Sequence, residues 1–293
     1  MALPAAWAAA LVVLGWQGQA EAYCRTTTAA AATQACTEDG SALFWRNECR
    51  GVRLDPSTLS ADLVAPYTEA LKVALAQWDG AECPEGGRAS ISIDYLGETD
   101  IDYVGYDPAV DAKNENAIFF RTDDWAYSDG NQVALTTVTF RSDTGDILDA
   151  DIEVNATLNI STARPLPERG FDLQTVFAHE LGHVLGLAHS EERAATMYAT
   201  YNPGTTGQGE LESDDRAGLC AIYLPDGTRA GAGGAIAADE CDADAEPQLG
   251  GKEEGCGCRT APGATAPLSL SMLGLLALAF WARGSRGTTA ARH

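Results

Sequence analysis

The chain has 293 residues, and its 42 acidic residues against 19 lysines and arginines give a formal net charge of −23 at pH 7. A surface of this charge repels nucleic-acid phosphates, so the composition excludes nucleic acid as the expected partner. The length allows one or two domains, but both ends carry patterns typical of sorting segments, so we expect a shorter folded part.

Residues 1–22 have the pattern of a secretory signal peptide. An apolar run over residues 5–16 is followed by Ala20-Glu21-Ala22, an A-x-A cleavage site that predicts a mature chain starting at Tyr23. The segment lacks the usual basic residue before the apolar run, and a buried N-terminal helix is the alternative. We expect export, with residues 23–42 as an N-terminal extension.

Hydrophobic periodicity predicts a helix, four strands, a second helix, an irregular segment and a last helix. Asp79-Gly80 ends the first helix. Asp214 and Asp215 lie in the first turn of the last helix, where negative charges stabilise a helix N-terminus. The predicted elements are a helix from Asp62 or Pro66 to Trp78, strands at Ala89–Leu96, Ala117–Arg121, Val133–Phe140 and Ile147–Val154, a helix from an Asp172 N-cap to about Leu185, and a helix starting near Ser213.

Acidic residues crowd one turn and the strand that follows it. Asp143, Asp146, Asp149 and Asp151 offer hard oxygen ligands, so a Ca2+ site is one interpretation. A solvated acidic turn is the other interpretation, and the default meaning of such a cluster.

Residues 179–189 read HELGHVLGLAH and carry the ligands of a zinc site. His179 and His183 are one helical turn apart, about 6 Å along the axis and on one face, so two imidazoles can bind one ion. Glu180 cannot reach that ion from the helix, but it can reach a water bound to it as a general base. Gly186 can take a positive φ and turn the chain so that His189 becomes the third ligand. Three protein ligands leave a fourth position for water, which is typical of a catalytic site.

The histidine count supports this interpretation. The chain has four histidines, and the one outside the motif is His293 at the end of the sequence. A second histidine-built zinc site or a separate histidine base is therefore excluded. A bare HExxH pattern also occurs by chance on amphipathic helices, so Gly186, His189 and Met197 at their spacings decide the interpretation.

HExxHxxGxxH followed by Met197 resembles the signature of the metzincin zinc endopeptidases. The local sequence is most similar to the matrixins, because His189-Ser190 is followed by Met197-Tyr198 and then Tyr201. Residues 213–223, SDDRAGLCAIY, also resemble the matrixin closing helix. Ala199 stands where astacins and serralysins have a tyrosine that can bind the metal. Matrixins usually have proline at this position, in the wall of the specificity pocket, so the shape of the matrixin pocket cannot be assumed for this chain.

This resemblance, over about residues 43–224, implies an α+β zincin fold. A twisted mixed sheet and two helices form the upper part, and a small irregular lower part ends in a C-terminal helix. The resemblance further implies one catalytic Zn2+ on the three motif histidines, Glu180 as general base and Met197 as an apolar floor below the metal. Tyr198 and Tyr201 are candidates for the wall of the substrate pocket, and the strand of residues 133–140 is the candidate edge along which an extended substrate adds. A fully paired strand is the alternative for residues 133–140.

Eight cysteines stand at positions 24, 36, 49, 83, 220, 241, 256 and 258, and export favours disulfides over thiols. If the last two belong to a sorting motif, six remain, and their connectivity cannot be deduced from sequence alone. The favoured pairs are Cys24 with Cys36 and Cys49 with Cys83. The matrixin propeptide motif that presents a cysteine to zinc has no counterpart here, and a disulfide is favoured over that role for Cys24 or Cys36.

The C-terminal part changes in composition. Residues 229–254 are acidic and rich in glycine and alanine, which is typical of a linker, so we expect the peptidase domain at residues 43–228. Residues 255–293 carry a Gly-Cys motif, an apolar run over residues 264–282 of nearly membrane-spanning length, and arginines. This arrangement resembles the myxobacterial-type C-terminal sorting signal, and a plain transmembrane anchor is the alternative. Both place the domain at the cell surface or outside the cell, membrane-anchored or processed.

The sequence thus predicts a secreted or surface-displayed zinc endopeptidase, a monomer that acts on proteins or peptides and contacts a membrane through its C-terminal segment before processing. A catalytically silent binding or adhesion module on the same fold is the second hypothesis. Glu180 argues against it, because loss of that carboxylate is the simplest route to an inactive site. Hydrolysis of a non-peptide amide by the same metal chemistry is the third.

Overall fold

The computed structural model describes residues 22–29, 36–37, 39–109, 112–127, 130–231 and 233–244, together with the backbone of residues 273–282. Nearly all of the predicted signal peptide, the Gly-Cys motif and the terminal arginines lie outside the described residues. The described helices and strands form an α+β fold, as the resemblance implies.

The three helices are α1 (Ala61–Trp78), α2 (Leu173–Val184) and α3 (Ser213–Ile222). The sequence predicts all three within one or two residues at the ends that it specifies, except that α1 begins before Pro66. Pro66 therefore lies inside the helix, where it removes one backbone hydrogen bond near the N-terminal end. The apolar stripe of α1, which includes Leu71, Leu75 and Trp78, is buried as its spacing predicts.

The strands are β1 (Cys24–Arg25), β2 (Cys49–Leu54), β3 (Ser92–Glu98), β4 (Ala117–Arg121), β5 (Gln132–Arg141), β6 (Ile147–Asn155), β7 (Ile160–Ser161), β8 (Phe171–Asp172), β9 (Leu187–Ala188), β10 (Thr200–Tyr201), β11 (Thr228–Gly231), β12 (Gly234–Ala237) and β13 (Leu273–Ala282). The four predicted strands are confirmed as β3 to β6. The sequence patterns do not predict β2, which lies between β4 and β3 in the sheet.

Seven strands form one mixed sheet in the order β10-β13-β5-β6-β4-β2-β3. β5 and β6 pair antiparallel, whereas β6 with β4, β4 with β2, and β2 with β3 pair in parallel. Parallel neighbours need a crossover connection, and α1 supplies it between β2 and β3. α1 packs against α2, and α2 packs against β5, so the helix with the motif histidines lies over the antiparallel part of the sheet.

Buried aromatic side chains hold α2 in place. The indole N–H of Trp78 donates to the carbonyl oxygen of Ala178, and that of Trp45 to the carbonyl oxygen of Val184, both at 2.8 Å. The Tyr223 hydroxyl donates to the carbonyl oxygen of Leu185 at 3.0 Å. The last carbonyl groups of a helix lack partners within it, so the bonds to Val184 and Leu185 satisfy the end of α2, and the bond to Ala178 fixes its middle.

Three disulfides join Cys24 to Cys36, Cys49 to Cys241, and Cys83 to Cys220. The predicted pairing of Cys24 with Cys36 is confirmed, and the predicted pairing of Cys49 with Cys83 is wrong. Their actual partners are 192 and 137 residues away. Cys83 lies beside α3, which contains Cys220. β2, which begins at Cys49, lies beside the segment that contains Cys241. Only the tertiary structure brings these distant segments together.

The described residues of the segment that the composition predicts as a linker pack against the domain. β11 and β12 form an antiparallel hairpin. The guanidinium group of Arg229 is buried and donates to the carbonyl oxygens of Trp45 at 2.9 Å and Asn47 at 2.8 Å. Together with the disulfide of Cys241, these bonds attach residues 228–244 to the domain.

The part of the C-terminal apolar run that the structure describes, β13, is a strand. It pairs antiparallel with β5, from Leu273 opposite Arg141 to Trp281 opposite Gln132, and in parallel with β10. β5 is therefore an interior strand here, and not the edge strand that we expected. Among the residues that the structure describes, no helix has the length and apolar character needed to cross a membrane.

Candidate metal centre

Two of the motif histidines lie on one face of α2. The helix is buried along its whole length except at Gln174, as expected for a helix apolar on most faces and enclosed by the domain. The ring centroids of His179 and His183 are 4.8 Å apart, which agrees with a spacing of one helical turn.

Gly186 forms a sharp turn directly after α2. Its φ of 93° lies in the left-handed region that favours glycine. A Cβ atom at this position would lie 2.5 Å from the carbonyl oxygen of Leu43, so a larger residue does not fit. The turn brings the ring of His189 to 5.2 Å from that of His179 and 4.9 Å from that of His183, measured between centroids. The structure thus brings the three motif histidines together.

The three imidazoles could hold one metal ion. One nitrogen of each lies within 4.8 Å of the others, and within the described part of the chain no other group of three or more His, Cys, Asp or Glu side chains has such an arrangement. Nδ1 of His179 lies 2.7 Å from the carbonyl oxygen of Thr196, and Nδ1 of His183 lies 2.9 Å from that of Leu187. Because a carbonyl oxygen only accepts, each Nδ1 carries the hydrogen, and each Nε2 keeps its lone pair for a metal.

These donors fit zinc. The Nε2 atoms of His183 and His189 are buried and have no hydrogen-bond partner among the described residues. Burial is the largest cause that lowers the pKa of His183 to about 3 and of His189 to about 4, and it lowers the pKa of His179 well below its ordinary value. All three are therefore neutral at pH 7, and the neutral imidazole is the form that binds Zn2+.

The turn at Met197 packs against α2. Met197 is buried, and a Cβ atom on Gly182 of α2 would overlap its sulfur, so helix and turn are in close contact. The carboxylate of Asp215 in α3 accepts the backbone N–H groups of Thr196 at 2.9 Å and Met197 at 3.0 Å. Asp215 thus fixes the segment whose carbonyl oxygen orients His179. From the sequence alone, Asp215 is predicted only to lie in the first turn of a helix.

Glu180 is completely buried. The hydroxyl of Thr136 on β5 donates to its Oε2 at 2.5 Å, and its Oε1 has no hydrogen-bond partner in the region that the structure describes. Burial raises the pKa of Glu180 to about 8, although the bond from Thr136 lowers it in part. A cation bound nearby would stabilise the carboxylate and lower this pKa. The sequence does not identify Thr136 as a site residue, because it precedes Glu180 by 44 residues.

The N-terminal end of the described chain lies next to the third histidine. Asp214 accepts the backbone N–H of Ala22 at 3.0 Å and the hydroxyl of Ser190 at 2.6 Å. β1 also pairs with β9, which directly precedes His189. Residues 22–25 therefore pack against the lower part of the site, a contact that the sequence does not predict.

The two candidate wall tyrosines differ in burial. Tyr201 is fully buried, and its ring packs 5.9 Å from that of Phe171 between centroids. Its hydroxyl donates to the carbonyl oxygen of Thr205 and accepts the backbone N–H of Asp172. Tyr198 is half-buried. Tyr201 is therefore held rigidly on β10, and the role of both residues as a pocket wall stays a prediction.

The aspartates of the acidic turn and the following strand do not converge on one point as the three histidines do. Asp143 is exposed, and Asp146 forms an ion pair with Arg46 at 2.8 Å. Asp151 accepts two backbone N–H groups and, like Asp149, is buried. These carboxylates are not among the groups with metal-binding geometry in the described ranges, so Ca2+ binding stays a prediction.

Comparisons with known proteins agree with this geometry. A family model described as Matrixin (Peptidase_M10) matches residues 85–224. Matrix metalloproteinase-20 of Homo sapiens is 50% identical over 56 residues, which are 19% of this chain and 12% of that protein. Interstitial collagenase of Sus scrofa is 49% identical over 57 residues (20% and 12%), and metalloendoproteinase 1-MMP of Arabidopsis thaliana is 43% identical over 58 residues (20% and 16%).

The matched stretch is short relative to these proteins, since it spans between 12% and 16% of their length. The family match instead runs from the end of α1 through β3 to α3 and contains the histidine triad, Glu180 and Met197. Residues 85–224 are therefore a matrixin domain, a metalloprotease domain of the metzincin type.

Proposed function

We propose that the protein is a zinc-dependent endopeptidase that hydrolyses peptide bonds in proteins or peptides. The observation that carries this proposal is the convergence of three buried, neutral imidazoles on one point, next to a buried carboxylate that does not belong to the triad. His179, His183 and His189 would hold the ion. When bound, Zn2+ supplies a Lewis acid that polarises the scissile carbonyl group and makes water a better nucleophile.

Glu180 performs the proton transfers in this proposal. Its carboxylate accepts a proton from the attacking water and then passes that proton to the nitrogen of the leaving amine. Its burial supports this role, because a carboxyl with a raised pKa holds and releases a proton near neutral pH. Met197 and Asp215 take no part in proton transfer, and they keep the histidines in position.

The substrate would bind as an extended strand along β5, in the place that β13 occupies in this structure. The pairing of β13 with β5 supports this mode, because it shows that the outer side of β5 can accept an antiparallel strand over nine residue pairs. β10, which contains Tyr201, would then lie on the other side of the substrate. Backbone hydrogen bonds would provide affinity, and the pockets for alternate side chains would provide selectivity.

Export is part of the proposal, with residues 1–22 as signal peptide and residues 255–293 as a sorting or anchoring segment. The three disulfides support it, because disulfides form and persist in oxidising compartments. The catalytic domain would act as a monomer outside the cell or at its surface. Residues 43–228 form its main body in this proposal, and the bonds of Cys241 and Arg229 extend it to about residue 244.

The decisive experiment compares the wild type with Glu180→Ala. Both proteins should bind one zinc ion, since Glu180 is not a ligand, and only the wild type should cleave a denatured protein. A wild type that binds zinc but cleaves no more than the variant would favour the silent binding or adhesion module. A substrate panel that includes non-peptide amides would separate the third hypothesis from peptide hydrolysis.

A further inference from the structure

Thr136 is the side chain that contacts the catalytic carboxylate. It lies in the middle of β5, is completely buried, and donates its hydroxyl hydrogen to Oε2 of Glu180 at 2.5 Å. The backbone carbonyl oxygen of Glu180 lies farther from the same hydroxyl, at 3.5 Å, so Oε2 is the nearer acceptor. Oε1 of the same carboxylate is buried and has no hydrogen-bond partner among the residues described. The two oxygens of Glu180 therefore have different surroundings.

The direction of Thr136 follows from the strand. Successive side chains of a strand point to opposite faces, so Thr136 faces α2 whereas Thr137 faces away from it. Both threonines are buried, and both lie in a segment rich in β-branched residues, LTTV. A valine would satisfy the preferences of a strand at either position, so strand propensity does not explain the hydroxyl at position 136.

We propose that Thr136 is a positioning residue that decides which oxygen of Glu180 carries the transferred proton. This inference rests on the proposed function. A hydroxyl has one hydrogen, and while Thr136 directs it at Oε2, that oxygen accepts and carries no proton. The proton taken from the attacking water therefore goes to Oε1, and the same proton passes from Oε1 to the leaving nitrogen. No other co-reactant is needed for this transfer.

The bond also limits the motion of the carboxylate. Glu180 lies on α2 and Thr136 on β5, so the bond joins the helix that carries two metal ligands to the strand beside which substrate would lie. Rotation of the carboxylate would break it and leave Oε2 buried without a donor, which is costly. Oε1 thus keeps one orientation through the catalytic cycle, and proximity and orientation of a proton carrier contribute directly to the rate.

The kinetic test uses three substitutions in the full chain. Thr136→Val should lower kcat about tenfold and leave KM within about twofold, because substrate binding does not use the hydroxyl. Thr136→Ser should restore most of kcat, because it keeps the donor. Thr27→Val is the control, because it replaces a buried threonine hydroxyl that has no hydrogen-bond partner among the described residues and lies outside the proposed site, and it should leave kcat unchanged. The zinc content of all four proteins should be equal.

A second test needs no activity and no metal. In metal-free protein, Thr136→Val should lower the midpoint of urea unfolding in the wild-type background, because it leaves Oε2 without its donor. In a Glu180→Leu background the same substitution should have little effect, since the acceptor is gone. Equal losses in the two backgrounds would show that Thr136 acts through packing alone and would overturn the inference.

The outcomes separate the inference from the proposed function. If the wild type cleaves and Glu180→Ala does not, but Thr136→Val behaves like Thr27→Val, the function stands and the inference fails. A loss of kcat that Thr136→Ser does not restore, or that accompanies loss of zinc, also overturns it. If the wild type cleaves nothing that Glu180→Ala leaves intact, the proposed function fails and the inference fails with it, while the unfolding test still reports whether the two side chains interact.

Discussion

The carboxylate of Asp215 accepts the backbone N–H of Met197 at 3.0 Å, and this bond joins α3 to the turn below the histidine triad. The same carboxylate accepts the N–H groups of Thr196 and of Glu212, the residue before α3. Thr196 in turn presents its carbonyl oxygen to Nδ1 of His179 at 2.7 Å. A chain of three hydrogen-bonded groups therefore connects α3 to His179 on α2.

Replacement of this carboxylate should weaken metal binding. Asp215→Asn leaves one acceptor oxygen for three N–H groups, so at least one buried donor loses its partner, at a cost of about 1 to 3 kcal/mol in unfolding free energy. We expect zinc affinity to fall about 10-fold or more, because partners that orient a metal ligand affect affinity at that level. Competition with a metal indicator measures this. Asp226→Asn, which removes a charge from an exposed carboxylate, is the control and should change neither quantity.

The histidine triad should make the stability of the metal-free protein depend on pH. The pKa of His183 is lowered to about 3 and that of His189 to about 4, from an ordinary value of 6.5. Between about pH 6.5 and pH 4 the unfolded chain therefore binds protons that the folded chain does not bind. Lowering the pH through this window favours the unfolded state, so the free energy of unfolding contributed by these groups falls.

Urea unfolding in the presence of a chelator, at several pH values, measures this dependence. A variant with His183→Gln and His189→Gln lacks the two groups and should show a shallower fall between pH 6.5 and pH 4. The raised pKa of Glu180 acts in the opposite direction in both proteins, so the difference between the two curves reports the histidines. Parallel curves would contradict the expectation.

The disulfide between Cys83 and Cys220 should contribute strongly to stability. It joins the segment after α1 to α3 and closes a loop of 137 residues, and restriction of the unfolded chain increases with loop length. Replacement of both cysteines by serine should lower the free energy of unfolding by about 2 to 5 kcal/mol. The corresponding change at Cys24 and Cys36, which are 12 residues apart, should cost about 2 kcal/mol less. Equal losses would show that the loop-entropy argument does not apply.

The pairing of β13 with β5 should reduce access of substrate to the strand along which we propose that it binds. Leu276 pairs with Val138, and Leu278 pairs with Thr136. Prolines at positions 276 and 278 remove two backbone donors and disfavour this strand pairing. The substituted chain should therefore have a lower KM than the wild type for an extended peptide, with kcat little changed.

Two further proteins complete this comparison. A chain that ends after residue 254 lacks β13 and should behave like the proline variant. Alanines at positions 276 and 278 keep the backbone donors and should leave KM close to the wild-type value. If all four proteins have the same KM, β13 does not compete with substrate.

The sequence by itself determines the part of the site that is encoded within a few residues. A helical turn places His179 and His183 on one face, and Gly186 allows the turn that returns His189, so periodicity and one glycine are sufficient. Alternation of apolar and polar residues likewise identifies β3, because one face of that strand is less buried than the other.

The tertiary structure decides what depends on contacts between distant segments. The pairing of Cys49 with Cys241, the burial of Arg229 in a segment with the composition of a linker, and the bond from Thr136 to Glu180 leave no local signal. Each of these side chains has a residue type that is compatible with several local environments. Its partner is selected only when the sheet and the helices bring the two segments together. The three histidines that converge could therefore be predicted from the sequence, and the groups that position them could not.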